Sequence, residues 1–195
     1  MTRQAMVVVS GSDTRHDLLT ASMVFRQLGA EAGFATRRAM GTGRFVDPLP
    51  ANASADVFLL YKSGGEFHMP QRQALARMIA DGKGLLAVHN SRVGSDVGGW
   101  GSGCTDPQPA EISIVADHPI TRGVSAFEVT DSYGIVPGDV LAKGPDGTPV
   151  LTVRTVGKGR VVYLSLGHDM RSWGTPSVRT LVRQALVWIG GDGDR

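Results

Sequence analysis

Cysteine is almost missing from this chain: Cys104 is the only one in 195 residues. No intrachain disulfide can form, and a reducing compartment such as the cytoplasm is the expected setting. Excess charge of either sign is also lacking. Twenty Lys and Arg oppose eighteen Asp and Glu, a net charge of +2, with no run of basic residues. Aromatic residues make up only 6%, and none interleaves with a basic stripe, so a nucleic-acid partner is not expected. No apolar run approaches the ~20 residues that a membrane-spanning helix needs, so no membrane partner is expected either. Met1–Val9 has no signal-peptide core or cleavage site, and its apolar part reads better as a first core strand.

What is present is a soluble globular composition: 42% apolar, 19% charged and 26 glycines spread between periodic segments. The length suits one domain over residues 1–195, large enough to bury a core without staples. Met6–Ser10, Asp56–Tyr61 and Gly84–His89 are short apolar runs that read as strands buried on both faces. A helix is expected from about Asp17 to Ala32, capped by Asp13 or Thr14, with Leu18, Ala21, Phe25 and Leu28 on one face and Gly33 as its stop. Phe34–Arg37 reads as a short strand, and residues 41–54 as loop. Pro70 opens a second helix running to about Ala80. This strand–helix–strand alternation predicts a parallel sheet with right-handed crossovers. The second half differs. Val93–Pro109 reads as a glycine-rich loop, and Ile112–Val115, Phe127–Thr130 and Val150–Val153 as strands of an antiparallel region. Gly157-Lys158-Gly159 reads as a hairpin turn leading into Val161–Leu166. Thr175 and Pro176 start a last helix, and Gly190–Arg195 is a tail. The fold class is α/β, a mostly parallel sheet with an antiparallel hairpin region in the second half.

Four of the five histidines follow apolar strand candidates: His16, His68, His89 and His168. Ligands of open parallel sheets bind beyond the carboxyl ends of the strands. Parallel strands would therefore bring these imidazoles to one rim, where they could transfer protons or hold a metal. His89 is the sharpest position, because it ends a buried strand where the chain turns through Asn90, Ser91 and Arg92. The alternative is a histidine that merely bonds the backbone at a strand end. His16-Asp17 and His168-Asp169 share a dipeptide pattern, in which the aspartate could orient the imidazole or cap a helix. His16, His89 and His168 are candidate ligands for a divalent metal (Zn, Mn, Ni or Fe), although no local ligand spacing such as H-E-x-x-H is present. Acid–base imidazoles without metal fit the sequence equally. Arg15, Lys62, Arg92 and Arg171 sit near the same rim and could hold an anionic or polyhydroxyl ligand. His68 reads as covering a helix entrance and His118 as a turn residue. Cys104 has no neighbouring base or helix start to lower its pKa, so a cysteine nucleophile would need a distant histidine.

Several of these stretches resemble the trehalose-utilisation, or ThuA-like, family. They are Val7–Gly11 with Arg15-His16-Asp17, Gly84–His89, Asp117–Gly123, Phe127–Asp131 with Tyr133, and Gly157–Tyr163 running into Leu166–Asp169. The resemblance spans nearly the whole chain in order. It implies a class I glutamine amidotransferase-like, flavodoxin-like three-layer fold, in which His89 stands where amidotransferases carry a cysteine. It also implies a role in sugar metabolism, with Asp131 and Tyr133 contacting substrate. The chain departs from the family pattern in three places. The segment from His89 to Asp117 is short, Ser132 replaces a glutamate before the tyrosine, and Pro149-Val150-Leu151 replaces a tryptophan entering the hairpin.

Two functions follow. One is an enzyme acting on a sugar or sugar-derived molecule by lyase, hydrolase or isomerase chemistry. Here His89 is base or ligand, His16 and His168 are ligands or acid–base partners, and Asp169 is an orienter. Arg15, Asn90, Arg92, Asp131 and Tyr133 hold the substrate. The other is a non-catalytic amidotransferase-like domain that binds a metabolite or a partner protein. The sequence leaves a homo-oligomer open.

Overall fold

The structure is a computed structural model that describes residues 2–12, 15–46, 54–64, 67–94 and 106–191. The expected caps Asp13 and Thr14, most of the glycine-rich segment after Val93, Cys104 and the end of the tail lie outside the described residues. In chain order the elements are β1 (Gln4–Gly11), α1 (Leu18–Glu31), β2 (Ala35–Met40), a 3₁₀ turn (Thr42–Val46), β3 (Val57–Ser63), α2 (Met69–Ala80) and β4 (Gly84–Val88). After them come β5 (Gln108–Ile114), β6 (Phe127–Asp131), β7 (Asp139–Lys143), β8 (Pro149–Val156), β9 (Gly159–Leu164), α3 (Met170–Trp173) and α4 (Pro176–Ile189).

The strands form one sheet in the order β2-β1-β3-β4-β9-β8-β7-β5-β6. The first five are parallel, and the pairs beyond β9 are antiparallel. The expected α/β sheet with an antiparallel second half is therefore present. Strand β7 was not expected from the sequence. Its Asp139-Val140-Leu141-Ala142-Lys143 is too short and too weakly alternating to stand out, and it is held by pairing with β8.

The central strands are apolar on both faces because helices cover both. Alternate residues of β1 divide between two cores. Ala5, Val7 and Val9 face α1 and α4, while Met6 and Val8 face α2. Each fully buried Leu or Val of β3 and β4 contributes ~1.5–3 kcal/mol relative to exposure.

The ends of the helices follow their local chemistry. Asp17, rather than Asp13 or Thr14, is the N-cap of α1, its carboxylate accepting the Thr20 N–H at 2.9 Å. Gly33 follows the helix at φ +85°, a left-handed conformation that costs glycine little. Pro70 lies in the first turn of α2, and Pro176 opens α4. Thr175 occupies the α4 cap position, but its hydroxyl donates to the Arg171 carbonyl at 2.9 Å instead of capping. No described helix is long and apolar enough to cross a membrane.

Candidate functional site

Strands β1, β3, β4 and β9 run parallel, so their carboxyl ends share one rim. His16 follows β1, His89 directly follows β4 and His168 follows β9. Their rings converge there, with centroids 4.5–5.1 Å apart. His16 Nε2 lies 3.0 Å from His89 Nε2, and His168 Nδ1 lies 3.4 Å from the same atom. One potential ligand nitrogen from each ring lies within 4.8 Å of both others. His68 does not join them. It occupies the cap position of α2 without a side-chain capping bond.

The turn after β4 explains how His89 reaches this point. His89 has φ +56°, and among the described residues it is the one non-glycine with positive φ. Such a conformation is costly for a residue with a Cβ and persists only where its surroundings enforce it. Here the buried Ser91 hydroxyl accepts the Lys62 N–H at 2.7 Å and lies 2.6 Å from the Val88 carbonyl and 3.0 Å from that of Leu60. The Tyr163 hydroxyl donates to the Ser91 carbonyl. The His89 N–H donates to the Leu164 carbonyl at 2.7 Å. The turn is thereby tied to β3 and β9 and lifts the imidazole onto the rim.

His168 is placed by a different device. Asp131, only 1% exposed at the end of β6, accepts the N–H of Gly167 at 2.6 Å and of His168 at 3.0 Å. It also accepts the Ser132 N–H at 2.7 Å. Burial pushes its carboxyl above the ordinary range, against the pull of these hydrogen bonds. Gly167 must adopt φ +118°, and a Cβ there would stand 2.8 Å from Val88 Cγ1. Beneath the cluster lies an aromatic floor. The Tyr61 ring stacks on His89 at 6.1 Å, and its hydroxyl donates to the His168 carbonyl at 3.0 Å. Trp173 Nε1 donates to the Gly167 carbonyl at 2.8 Å.

The three imidazoles open into a cavity of about 560 Å³ also lined by Arg15, Ser63, Gly64, Asn90, Asp106, Pro107 and Ser132. Of the residues expected to hold substrate, Arg15 and Asn90 line it. Three others do not. Asp131 points inward to the backbone of the His168 loop, and Tyr133, 3% exposed, packs into the core. Their neighbour Ser132 faces the cavity instead. Burial raises the Tyr133 phenol, with the nearby charge of Asp146 acting in the same direction. Arg92 is exposed and donates through Nε to Asn90 Oδ1 at 3.1 Å. Lys62 also lies off the cavity, its Nζ donating to the Gly64 carbonyl at 2.6 Å.

Asp169 does not orient an imidazole either. It is the N-cap of α3, accepting the Arg171 N–H at 2.9 Å, and forms a bidentate pair with the Arg171 guanidinium that holds its carboxyl low. Asp17 is spent as the α1 cap. The two His-Asp dipeptides thus send each histidine to the large cavity, and each aspartate to a neighbouring one of about 350 Å³ lined with Thr20, Met170, Arg171 and Trp173.

Ser63, Ser132 and Asp106 were not singled out from sequence. Ser63 was legible, because it ends a buried parallel strand. Ser132 and Asp106 depend on how β5 and β6 fold back over the rim. His118, as expected, is a turn residue. Its Nδ1 accepts the Ile120 N–H at 3.2 Å, and its ring packs edge-on against Trp188.

Hydrogen-bond partners fix the direction of two rings. His89 Nδ1 lies 3.3 Å from the Ser165 carbonyl, which can only accept, so Nδ1 carries the proton and Nε2 presents a lone pair when the ring is neutral. His16 Nδ1 lies 2.7 Å from Ser63 Oγ. The three rings form a group that could hold a divalent metal, with all three nitrogens within 4.8 Å of one another. Metal–nitrogen bonds of 2.0–2.1 Å in a tetrahedron imply nitrogens ~3.3 Å apart, and two of the separations here are 3.0 and 3.4 Å. The outer ring nitrogens of His16 and His89 face a hydroxyl and a backbone carbonyl, as is usual for metal-binding histidines.

The fold recurs among solved structures. A ThuA-like protein from Parabacteroides merdae is 13% identical, with a TM-score of 0.75 over 96% of this chain and 90% of that one. A cytoplasmic protein from Salmonella typhimurium is 13% identical, with a TM-score of 0.66 over 94% and 98%. A β-galactosidase from Bacillus circulans sp. alkalophilus is 15% identical, with a TM-score of 0.66 over 94% of this chain but 30% of its own. At these identities the likeness is one of fold. No curated protein matches the chain. The trehalose-utilisation (ThuA) family profile matches residues 5–189, nearly the whole chain. With its parallel sheet, its histidine at the β4 turn and this match, the chain belongs to the trehalose-utilisation family.

Proposed function

We propose that this protein is an enzyme acting on a sugar or sugar-derived small molecule, with His16, His89 and His168 holding a divalent metal at the floor of the cavity. The observation that carries the reading is the convergence, within 4.8 Å, of three imidazole nitrogens from the turns and loops that follow three parallel strands. Three histidines leave a coordination position open, as in catalytic rather than structural sites. A metal held there would supply Lewis acidity toward a carbonyl or hydroxyl oxygen of the substrate.

The chain's own residues do the rest. Arg15, Asn90 and Ser132 offer hydrogen bonds to a polyhydroxyl ligand. Asp106 is the carboxylate among the described lining residues and is the group available to take a proton from a carbon beside a keto group. The chemistry is lyase, hydrolase or isomerase in type, and a cytoplasmic setting fits the single cysteine. A nucleophilic Cys104 has no part in this reading.

A non-catalytic role is favoured by one observation: the same fold makes up about 30% of the length of the B. circulans β-galactosidase, which suits a domain that serves a larger assembly. Elemental analysis of untagged, as-purified protein separates the readings, together with a screen of keto-sugars for turnover. Near-stoichiometric Zn, Mn, Ni or Fe with turnover supports the enzyme. Protein that stays metal-free after exposure to these ions overturns the metal centre, and ligand binding without turnover supports the second reading.

A further inference from the structure

We infer that Ser63 is a positioning residue that sets the tautomer of His16, and that its hydroxyl reverses its hydrogen bond when the three-histidine site takes up a metal. This rests on the metal reading above. His89 is the fixed point. Its Nδ1–H faces the Ser165 carbonyl at 3.3 Å, so its Nε2 can only accept while the ring is neutral. His16 Nε2 lies 3.0 Å from that lone pair. In the metal-free protein a favourable contact therefore needs His16 to carry its proton on Nε2, which leaves Nδ1 as an acceptor. Ser63 Oγ, 2.7 Å from Nδ1, then donates its hydroxyl hydrogen.

A metal held by His16 Nε2 and His89 Nε2 needs both as lone pairs. The His16 proton must then sit on Nδ1 and be donated to Ser63 Oγ. The proton leaves one nitrogen and appears on the other, with no net release from His16. Only a side chain that both donates and accepts serves both states, and a hydroxyl does so by rotating. Ser63 is held for this purpose. It is 1% exposed at the end of β3, paired with Gly11 across the parallel ladder, and its carbonyl accepts the Ser12 N–H at 3.2 Å. A buried hydroxyl at this point can contribute to His16 what a backbone carbonyl contributes to His89, without forbidding the metal-free state.

The test is long-range ¹⁵N–¹H correlation NMR on histidine-labelled full-length protein, metal-free and after one equivalent of Zn, with competition titration of Zn into wild type and Ser63→Ala. The expected result is a His16 proton on Nε2 before Zn and on Nδ1 after it. Ser63→Ala is expected to lose Zn affinity by about 10–100-fold at an unchanged melting temperature. Equal Zn affinity in the two proteins, or a His16 proton on the same nitrogen in both states, overturns the role of Ser63 and leaves the metal site standing. Wild-type protein that takes up no Zn overturns both.

Discussion

The parallel and antiparallel halves of the sheet each carry histidines from the family-like stretches, and they use them differently. In the parallel half, His16, His89 and His168 leave the carboxyl ends of β1, β4 and β9 and converge. In the other half, His118 accepts an N–H from its own turn and packs on Trp188 near the end of α4. Residue type is the same, so topology makes the difference. Parallel strands deliver their ends to one rim, whereas antiparallel neighbours send successive ends to opposite sides. The antiparallel half still contributes to the site, but through a clamp: Asp131 of β6 holds the backbone that bears His168.

The sharpest way to break this comparison is to remove one histidine from each half. His89→Ala is expected to abolish metal retention and turnover, and to cost ~1–3 kcal/mol of stability as well, since the imidazole is only 3% exposed, stacks on Tyr61 and faces the Ser165 carbonyl. His118→Ala is expected to leave metal content unchanged and to cost ~0.5–1.5 kcal/mol of stability, from one hydrogen bond and one aromatic contact. Metal analysis and thermal melts of both variants decide the matter, and a His118→Ala protein that loses metal would end the distinction.

A smaller effect probes the seam between the halves. Gly167→Val places a β-branched residue at φ +118°, against Val88. A destabilisation of ~1–3 kcal/mol is expected from the backbone strain, along with weaker metal retention because His168 shifts. Denaturant unfolding measures the first and metal titration the second. Wild-type behaviour in both would show that the loop tolerates another path.

The smallest effect lies on the helices that cover the parallel half. Glu31 of α1 pairs with Arg183 at 2.9 Å and Arg179 at 3.1 Å of α4. The Arg183 hydrogen bond foremost holds its carboxyl below the ordinary 4.5. A depressed pKa gives stability that is present above the unfolded value and is lost as pH falls through the folded one. Melting curves should therefore show up to ~1 kcal/mol lost on acidification below about pH 4.5. Glu31→Gln should remove that part of the pH dependence, and an identical acid profile in the variant would show that the pair contributes nothing.

Much of this was readable in the sequence for a physical reason. β1, β3, β4 and β9 are central strands, so their hydrophobic runs are unbroken and stand out. The helices between them repeat at helical spacing and stop at glycines such as Gly33. From such a pattern the parallel order follows, and with it the shared rim for His16, His89 and His168. Strand β7 was not readable, because a short strand in an antiparallel region takes its identity from its partner. The roles of the acidic residues were also hidden. Asp169 and His168 are adjacent in sequence, yet a turn sends them to separate cavities. Asp131, expected at the substrate, faces inward as the chain leaves β6, and its neighbour Ser132 lines the cavity instead.

The sequence by itself determined the fold class, the family and the three histidines, since these depend on hydrophobic pattern and on residues placed at strand ends. Only the tertiary structure decided which neighbours complete the site. Hydrogen bonds to Ser63, Ser165 and the Asp131 clamp act between residues tens of positions apart, and their geometry exists only once the strands are side by side.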